Sequence, residues 1–168
     1  MKKLTMLMLG LGLGLTVSAM TNAAGIGVVD LARVVESSTY LKQQNAALGQ
    51  SVKPTSTRLE QLGKELETMQ QKAQTDGPKM NQADIQKMTA LYQAKLNEFN
   101  TTQQGLQTKV QSTLQSMNTA FEGKVKQAAE QLRKENNLDL ILNKNSTIAS
   151  DAQYDLTDKM IQKVNALK

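Results

Sequence analysis

Two apolar stripes in matched register constrain this chain more than any other feature. In the first, Leu41, Leu48, Val52, Leu59, Leu62, Leu66, Met69 and Ala73 recur along the chain. With Asn45 and Thr55 filling two places, the steps alternate between four and three, the seam of one helix packed on another. The second stripe is Ile85, Met88, Tyr92, Leu96, Phe99, Leu106, Val110, Leu114, Met117, Phe121, Val125, Ala128 and Leu132, with Gln103 in its gap. Between them stands Asp76-Gly77-Pro78, a strong helix breaker.

Stripes on either side of a breaker fold back antiparallel, so facing residues have position numbers of constant sum. Ala73 then falls opposite Ile85, Leu66 opposite Tyr92, Leu62 opposite Leu96 and Leu59 opposite Phe99. Further along, Val52 meets Leu106, Leu48 meets Val110 and Leu41 meets Met117. The polar interruptions match as well, Thr55 with Gln103 and Asn45 with Thr113. The spacing predicts a helical hairpin with arms from about Thr39 to Thr75 and from about Gln82 to Asn136. At 1.5 Å per residue these arms are ~55 and ~80 Å long. Asn81 with Asp84 resembles a capping box opening the second arm. Pro54 is expected to kink the first arm without ending it, because the heptad continues across it. Gly49 and Gly105 lie nearly opposite one another beside Pro54, so these three residues form a candidate hinge.

The second arm outruns the first. Its excess, from about Asn118 to Leu132, must pack on the chain ends. Ile26-Gly27-Val28-Val29 reads as a buried strand. Asp30 is placed to cap a short helix over Leu31 to Val35, ending near Glu36, and Ser37 or Ser38 to cap the first arm. Leu138 to Leu142 reads as a strand, Asn143 to Ser146 as a turn and Thr147-Ile148-Ala149 as another short strand. Asp155 to Asp158 opens a last helix with Leu156, Met160, Ile161, Val164 and Leu167 on its apolar side. Segments 24–38 and 119–168 thus make a small body, and 39–118 the projecting arm. The predicted class is α+β, mostly helical.

So few elements give a marginal core and leave sheet edges open. Association solves both problems, with strands of several chains sharing one sheet or barrel. Val28, Val29, Leu138, Leu140, Leu142 and Ile148 are the candidate residues of that shared body.

Residues 1–23 read as a secretory signal peptide. Lys2 and Lys3 precede an apolar run from Leu4 to Val17, and Thr21-Asn22-Ala23 suits cleavage after Ala23 or Ala24. The run is short for a membrane span of ~20 residues, and no second apolar run follows. The expected location is the periplasm. Removing the two signal lysines from the formal charge of +5 leaves about +3, a mild basic excess. The chain has no Cys and no His, so thiol nucleophiles and the common general base at neutral pH are missing. It shows no P-loop and no metal-ligand cluster. An enzyme is not expected, nor a cofactor. Nucleic-acid binding fails on the missing basic cluster and on aromatics at 3%, too few for stacking on bases.

The order of segments is distinctive. Gly27-Val28-Val29-Asp30-Leu31 precedes the hairpin. Asn137-Leu138-Asp139-Leu140-Ile141-Leu142-Asn143-Lys144-Asn145 and Tyr154-Asp155-Leu156-Thr157-Asp158-Lys159-Met160 follow it. In these residues the chain resembles the Skp (OmpH) family of periplasmic chaperones. The resemblance implies a homotrimer whose strands close a small β-barrel body. It also implies three helical tentacles around a cavity that holds unfolded outer-membrane β-barrel proteins without ATP. The alternative is a structural or adhesive envelope coiled coil that holds no client.

The family's strongly basic tentacle is not reproduced. Lys95 matches one basic position, but Gln103-Gln104-Gly105 stands where arginines would cluster. Lys72, Lys79, Lys87 and Lys95 are balanced by Glu65, Glu67, Asp76 and Asp84. Those four lysines and Met80 in the turn are the candidate client contacts, with weak contact to anionic lipid surfaces as a further role for the lysines. Met69 and Met88 are expected to pack inside the seam.

Overall fold

The computed structural model describes residues 25–167. The expected signal segment, residues 1–23, lies outside them. Two long helices dominate, α2 (Thr39–Asp76) and α3 (Gln82–Glu135), joined through one 3-10 turn at Gly77–Lys79. Their starts are capped as the side chains predict. Ser38 Oγ accepts from the backbone N–H of Leu41 at 3.2 Å, and Asn81 Oδ1 from that of Asp84 at 2.9 Å. Only this half of the capping box forms. α2 passes through Pro54 without ending. Proline removes one backbone donor, and because Pro54 is exposed the freed carbonyl of Gln50 meets water rather than a dry seam.

Polar contacts between the arms flank the expected facing pairs. Arg58 Nε donates to Glu98 Oε1 at 2.9 Å, beside Leu59 and Phe99. Lys95 pairs with Glu65, between the Leu62–Leu96 and Leu66–Tyr92 pairs. Lys109 Nζ donates to the Ser51 carbonyl at 3.1 Å. Leu62 and Leu66 are the buried residues of α2, and the Arg58–Glu98 and Glu65–Lys95 pairs join the arms along the same stretch. Nearer the body, positions 42–61 and 97–116 hold no fully buried residue. Gly49, Pro54 and Gly105 all fall in this looser stretch.

The body gathers both ends of the chain around the last part of α3. β1 (Ile26–Val29) pairs in parallel with β2 (Leu140–Asn143), Ile26 opposite Leu140 and Val29 opposite Asn143. Between β1 and α2 lies α1 (Leu31–Ser37), capped by Asp30, whose Oδ1 accepts from the Arg33 N–H at 3.1 Å. The last helix is α4 (Thr157–Ala166). Val29, Val34, Phe121, Ala128, Leu132, Leu156, Met160 and Val164 form the core. It is drawn from β1, α1, α3, α4 and the residue before α4, so none of these pieces has a dry interior alone.

α4 also fixes the joint between α1 and α2. Asn165 Oδ1 accepts from the Thr39 N–H at 2.9 Å and from the Thr39 hydroxyl at 3.1 Å. Its Nδ2 donates to the Ser37 carbonyl at 3.2 Å. Beside it, Lys124 Nζ donates to the Leu167 carbonyl at 2.9 Å and lies 5.1 Å from the centre of the Tyr40 ring.

The structure departs from the sequence expectations in the segment after α3. The expected strand from Leu138 begins at Leu140 instead. Asn137 takes a positive φ of 50°, the Leu138 N–H donates to Arg133 O at 2.8 Å and the Asn137 N–H to Lys134 O at 3.3 Å. This is the double bond of a Schellman helix end, and it uses Leu138 before a strand can start. Thr147-Ile148-Ala149 is not a strand. Thr147 N–H turns back to the Lys144 carbonyl at 3.0 Å and its hydroxyl to that of Asn143 at 3.2 Å. With no neighbouring strand to pair with, the segment closes a turn. Two paired strands are therefore present among the described residues instead of three, and one chain makes no barrel.

The start of α4 carries a pH dependence. The Asp155 carboxyl is held below the usual carboxylate range, first by hydrogen bonds from Thr157 and then by the Lys144 ammonium. Its Oδ1 accepts from the Thr157 N–H at 2.9 Å, and Lys144 Nζ is 3.4 Å from Oδ2. A depressed folded-state pKa contributes stability above the unfolded value, lost as pH falls through the folded one. The wild type should therefore weaken on acidification below about pH 4. Asp155→Asn should weaken less over that range, read as the change in urea midpoint between neutral and acidic buffer.

Candidate functional site

Several surfaces of the described residues carry apolar groups that one chain leaves uncovered, two of them at the sheet and on the distal hairpin. The first is the outer face of the sheet. Paired residues of parallel strands share a face, so the register groups Ile26 and Val28 with Leu140 and Leu142. Val29 and Ile141, on the other face, pack in the core. On the outer face Ile26 is 41% exposed, Leu140 38% and Leu142 40%. A hollow of about 630 Å³ opens here, lined among others by Ile26, Val28, Leu142 and Tyr154. Ile148 is wholly exposed. On the outer edge of β1 the Leu156 N–H donates to the Val28 carbonyl at 2.8 Å. No strand lies along the far edge of β2 among the described residues.

Of the candidate body residues, Val29 is buried in the core and Val28 is buried on the outer face, where Leu140 and Leu142 beside it stay partly exposed. Leu138 packs against the core from outside the strand, and Ile148 projects from a turn. The structure thus brings four of the six onto the sheet, with Leu138 and Ile148 beside it.

The second surface lies on the distal hairpin. Met69, Gln70, Ala73, Met88, Thr89 and Tyr92 line an open cleft of about 300 Å³. A second groove of similar size is lined by Lys64, Glu65, Thr68, Met69, Leu91 and Lys95. Met69 belongs to both. Met69 and Met88, expected to pack in the seam, face the same cleft and are partly covered. The seam opens here because Ala73 is too small to fill its side. Leu91, 53% exposed, lies one position off the stripe, so the stripe alone does not single it out. An apolar residue beside a seam, with no facing partner, is the signal that finds it.

Met80 is half-buried in the turn, and Lys72, Lys79 and Lys87 are exposed. Lys95 differs from them. Its ion pair with Glu65 spans the arms, and the Glu65 carboxyl is held below its usual range chiefly by that hydrogen bond. Lys95 therefore serves the hairpin before any ligand. Among the described residues no cluster of His, Cys, Asp and Glu can hold a metal ion, and no helix is long and apolar enough to cross a membrane.

Comparison with known proteins agrees with this architecture. The chain is 28% identical over 165 residues to a Skp-like protein of Chlamydia muridarum, covering 96% of this chain and 95% of that one. It is 23% identical over 143 residues to a Skp-like protein of Pseudomonas aeruginosa, covering 85% of each. Its fold matches the crystal structure of a putative outer membrane chaperone (OmpH-like) from Caulobacter crescentus with a TM-score of 0.74, at 19% identity over 85% of each chain. The family model described as "Outer membrane protein (OmpH-like)" matches residues 25–164. That span runs from the start of β1 through both arms into α4, and the chain belongs to the OmpH-like family.

Proposed function

We propose that this protein is an ATP-independent periplasmic holdase for unfolded outer-membrane β-barrel proteins, acting as a homotrimer. One observation carries the reading: a long polar-walled hairpin is mounted on a body whose sheet keeps an apolar face and an open edge uncovered. Copies joined through that face and edge would complete the body as a shared barrel and set their arms around a common space. The names of the relatives and the family membership support the chaperone role.

The arm walls fit confinement better than tight gripping. Outside the seam they are mostly Gln, Asn, Ser, Thr and Lys, and the balanced charge toward the tip attracts clients only weakly. Many weak contacts from several arms add through avidity. Salt should therefore affect capture little, and contact of Lys72, Lys79 and Lys87 with anionic lipid should be weak.

Dilution of a urea-unfolded outer-membrane β-barrel protein into buffer tests the proposal by light scattering. Suppression that saturates near one oligomer per client is the expected result. No suppression at any ratio would leave the structural coiled-coil reading.

Arm mobility belongs to the same proposal. A Cβ at Gly49 or Gly105 meets nothing within 4 Å, so alanine fits both without strain. Gly49→Ala with Gly105→Ala should stiffen the looser stretch and stabilise the helices by about 1 kcal/mol at each site. Spin-label distances between arm tips should narrow. An unchanged distribution removes Gly49, Pro54 and Gly105 as a hinge.

A further inference from the structure

The distal cleft differs from the groove beside it, which Lys64, Glu65 and Lys95 line, in having no charged lining residue. One thioether comes from each arm, Met69 from α2 and Met88 from α3, with Ala73 beside Met69 and the Tyr92 ring forming a wall. Gln70 Nε2 donates to the Tyr92 hydroxyl at 2.8 Å, which ties the ring across the arms. Gln70 and Thr89, the other lining residues, are also neutral.

We propose that this cleft is a side-chain subsite that takes one aromatic ring from an extended segment of an unfolded client. The assignment rests on the holdase reading and specifies what it grips. A neutral lining is complementary to an uncharged group, because a carboxylate or ammonium seated there would lose hydration and find no counter-charge. Two sulfurs and a ring edge favour an aromatic over an aliphatic guest, through sulfur–aromatic contact and offset ring packing. A volume of about 300 Å³ is at the lower bound for small-ligand pockets, the scale of one ring rather than a folded motif. Both walls are helices whose backbone groups are already bonded within the helix. The client therefore cannot add a strand here, and recognition falls to side chains alone.

Transmembrane β-barrel proteins carry girdles of aromatic residues at both membrane interfaces. Their unfolded chains therefore offer rings in spaced clusters. One cleft on each arm of an oligomer would engage several at once, each contact remaining weak enough to release.

The test uses the mature oligomer and three disordered Gly/Ser/Gln peptides, carrying three Phe, three Leu or three Gln at the same positions. Binding is read by fluorescence anisotropy. The Phe peptide should bind about fivefold more tightly than the Leu peptide. Met69→Gln with Met88→Gln should abolish that preference, with helical circular dichroism and oligomer mass unchanged. Leu91→Gln, in the other groove, should retain it. Met88→Leu, which keeps the apolar volume and removes one sulfur, should reduce the preference while preserving Leu-peptide binding. Equal affinity for Phe and Leu, or a preference that survives the double substitution, overturns the assignment. Turbidity suppression by the wild type without aromatic preference overturns the cleft alone, whereas loss of suppression overturns the holdase reading itself.

Discussion

Leu132→Ala should destabilise the body by about 3 kcal/mol. Leu132 is 1% exposed and sits in the cluster formed by β1, α1, α3 and α4. Truncating it removes transfer energy and leaves a void lined by Met160, Val164 and their neighbours, which cannot collapse while α3 is held straight by its own hydrogen bonds. The loss is large against the stability of a small domain. It should show as a lowered urea midpoint at fixed protomer concentration, since the proposed association would also contribute. Leu91→Ala is the matched control, the same substitution on the same helix at an exposed position, with an expected effect below about 0.5 kcal/mol. Equal effects would mean that the end of α3 is not the core of the body. Because the hairpin has its own seam, helical signal should outlast the loss of the body.

Leu142→Asp should convert the proposed oligomer to folded monomers. In one chain Leu142 is 40% exposed, so a carboxylate there remains hydrated and the fold tolerates it. In the proposed assembly the same carboxylate would be buried in every copy, at a cost of several kcal/mol per group without a partner. Sedimentation velocity at micromolar concentration should then give the monomer, with the far-ultraviolet spectrum preserved. Wild-type mass for Leu142→Asp would place the assembly surface elsewhere and undo the shared barrel. Leu91→Asp should leave the mass unchanged, which separates an effect of the sheet face from a general effect of added charge.

The hairpin was the most legible part of the chain because helical periodicity is local and the turn between the stripes is short. Its register follows from facing pairs alone, and Arg58–Glu98 and Glu65–Lys95 flank the pairs the stripes predict. The burial of Phe121, Ala128 and Leu132 against the chain ends was also legible, because the second stripe continues past the length of its partner. Other features depend on what no short window contains. Thr147-Ile148-Ala149 is rich in β-branched residues, but a strand needs a neighbour to bond. Asn137 was free to take the left-handed conformation, and the helix end it completes displaced the strand by two residues. The Lys95–Glu65 pair depends on how the two arms rotate against each other, which spacing along one helix does not specify. The opening at Met69 and Met88 follows from the small volume of Ala73, and an apolar stripe does not distinguish small from large.

The parallel pairing of Ile26 with Leu140 sets an order of events. A chain that emerges from its N-terminus makes β1 first, yet its partner strand among the described residues is encoded after the whole of α3. Closing that loop costs chain entropy and cannot begin until the later segment exists. The hairpin needs only its own two arms, which are neighbours in sequence, and can zip from the turn beforehand. A chain halted before Leu140 would therefore hold finished arms and an orphan N-terminal strand. An assembly built on that sheet would then have to wait until both ends of the chain are present.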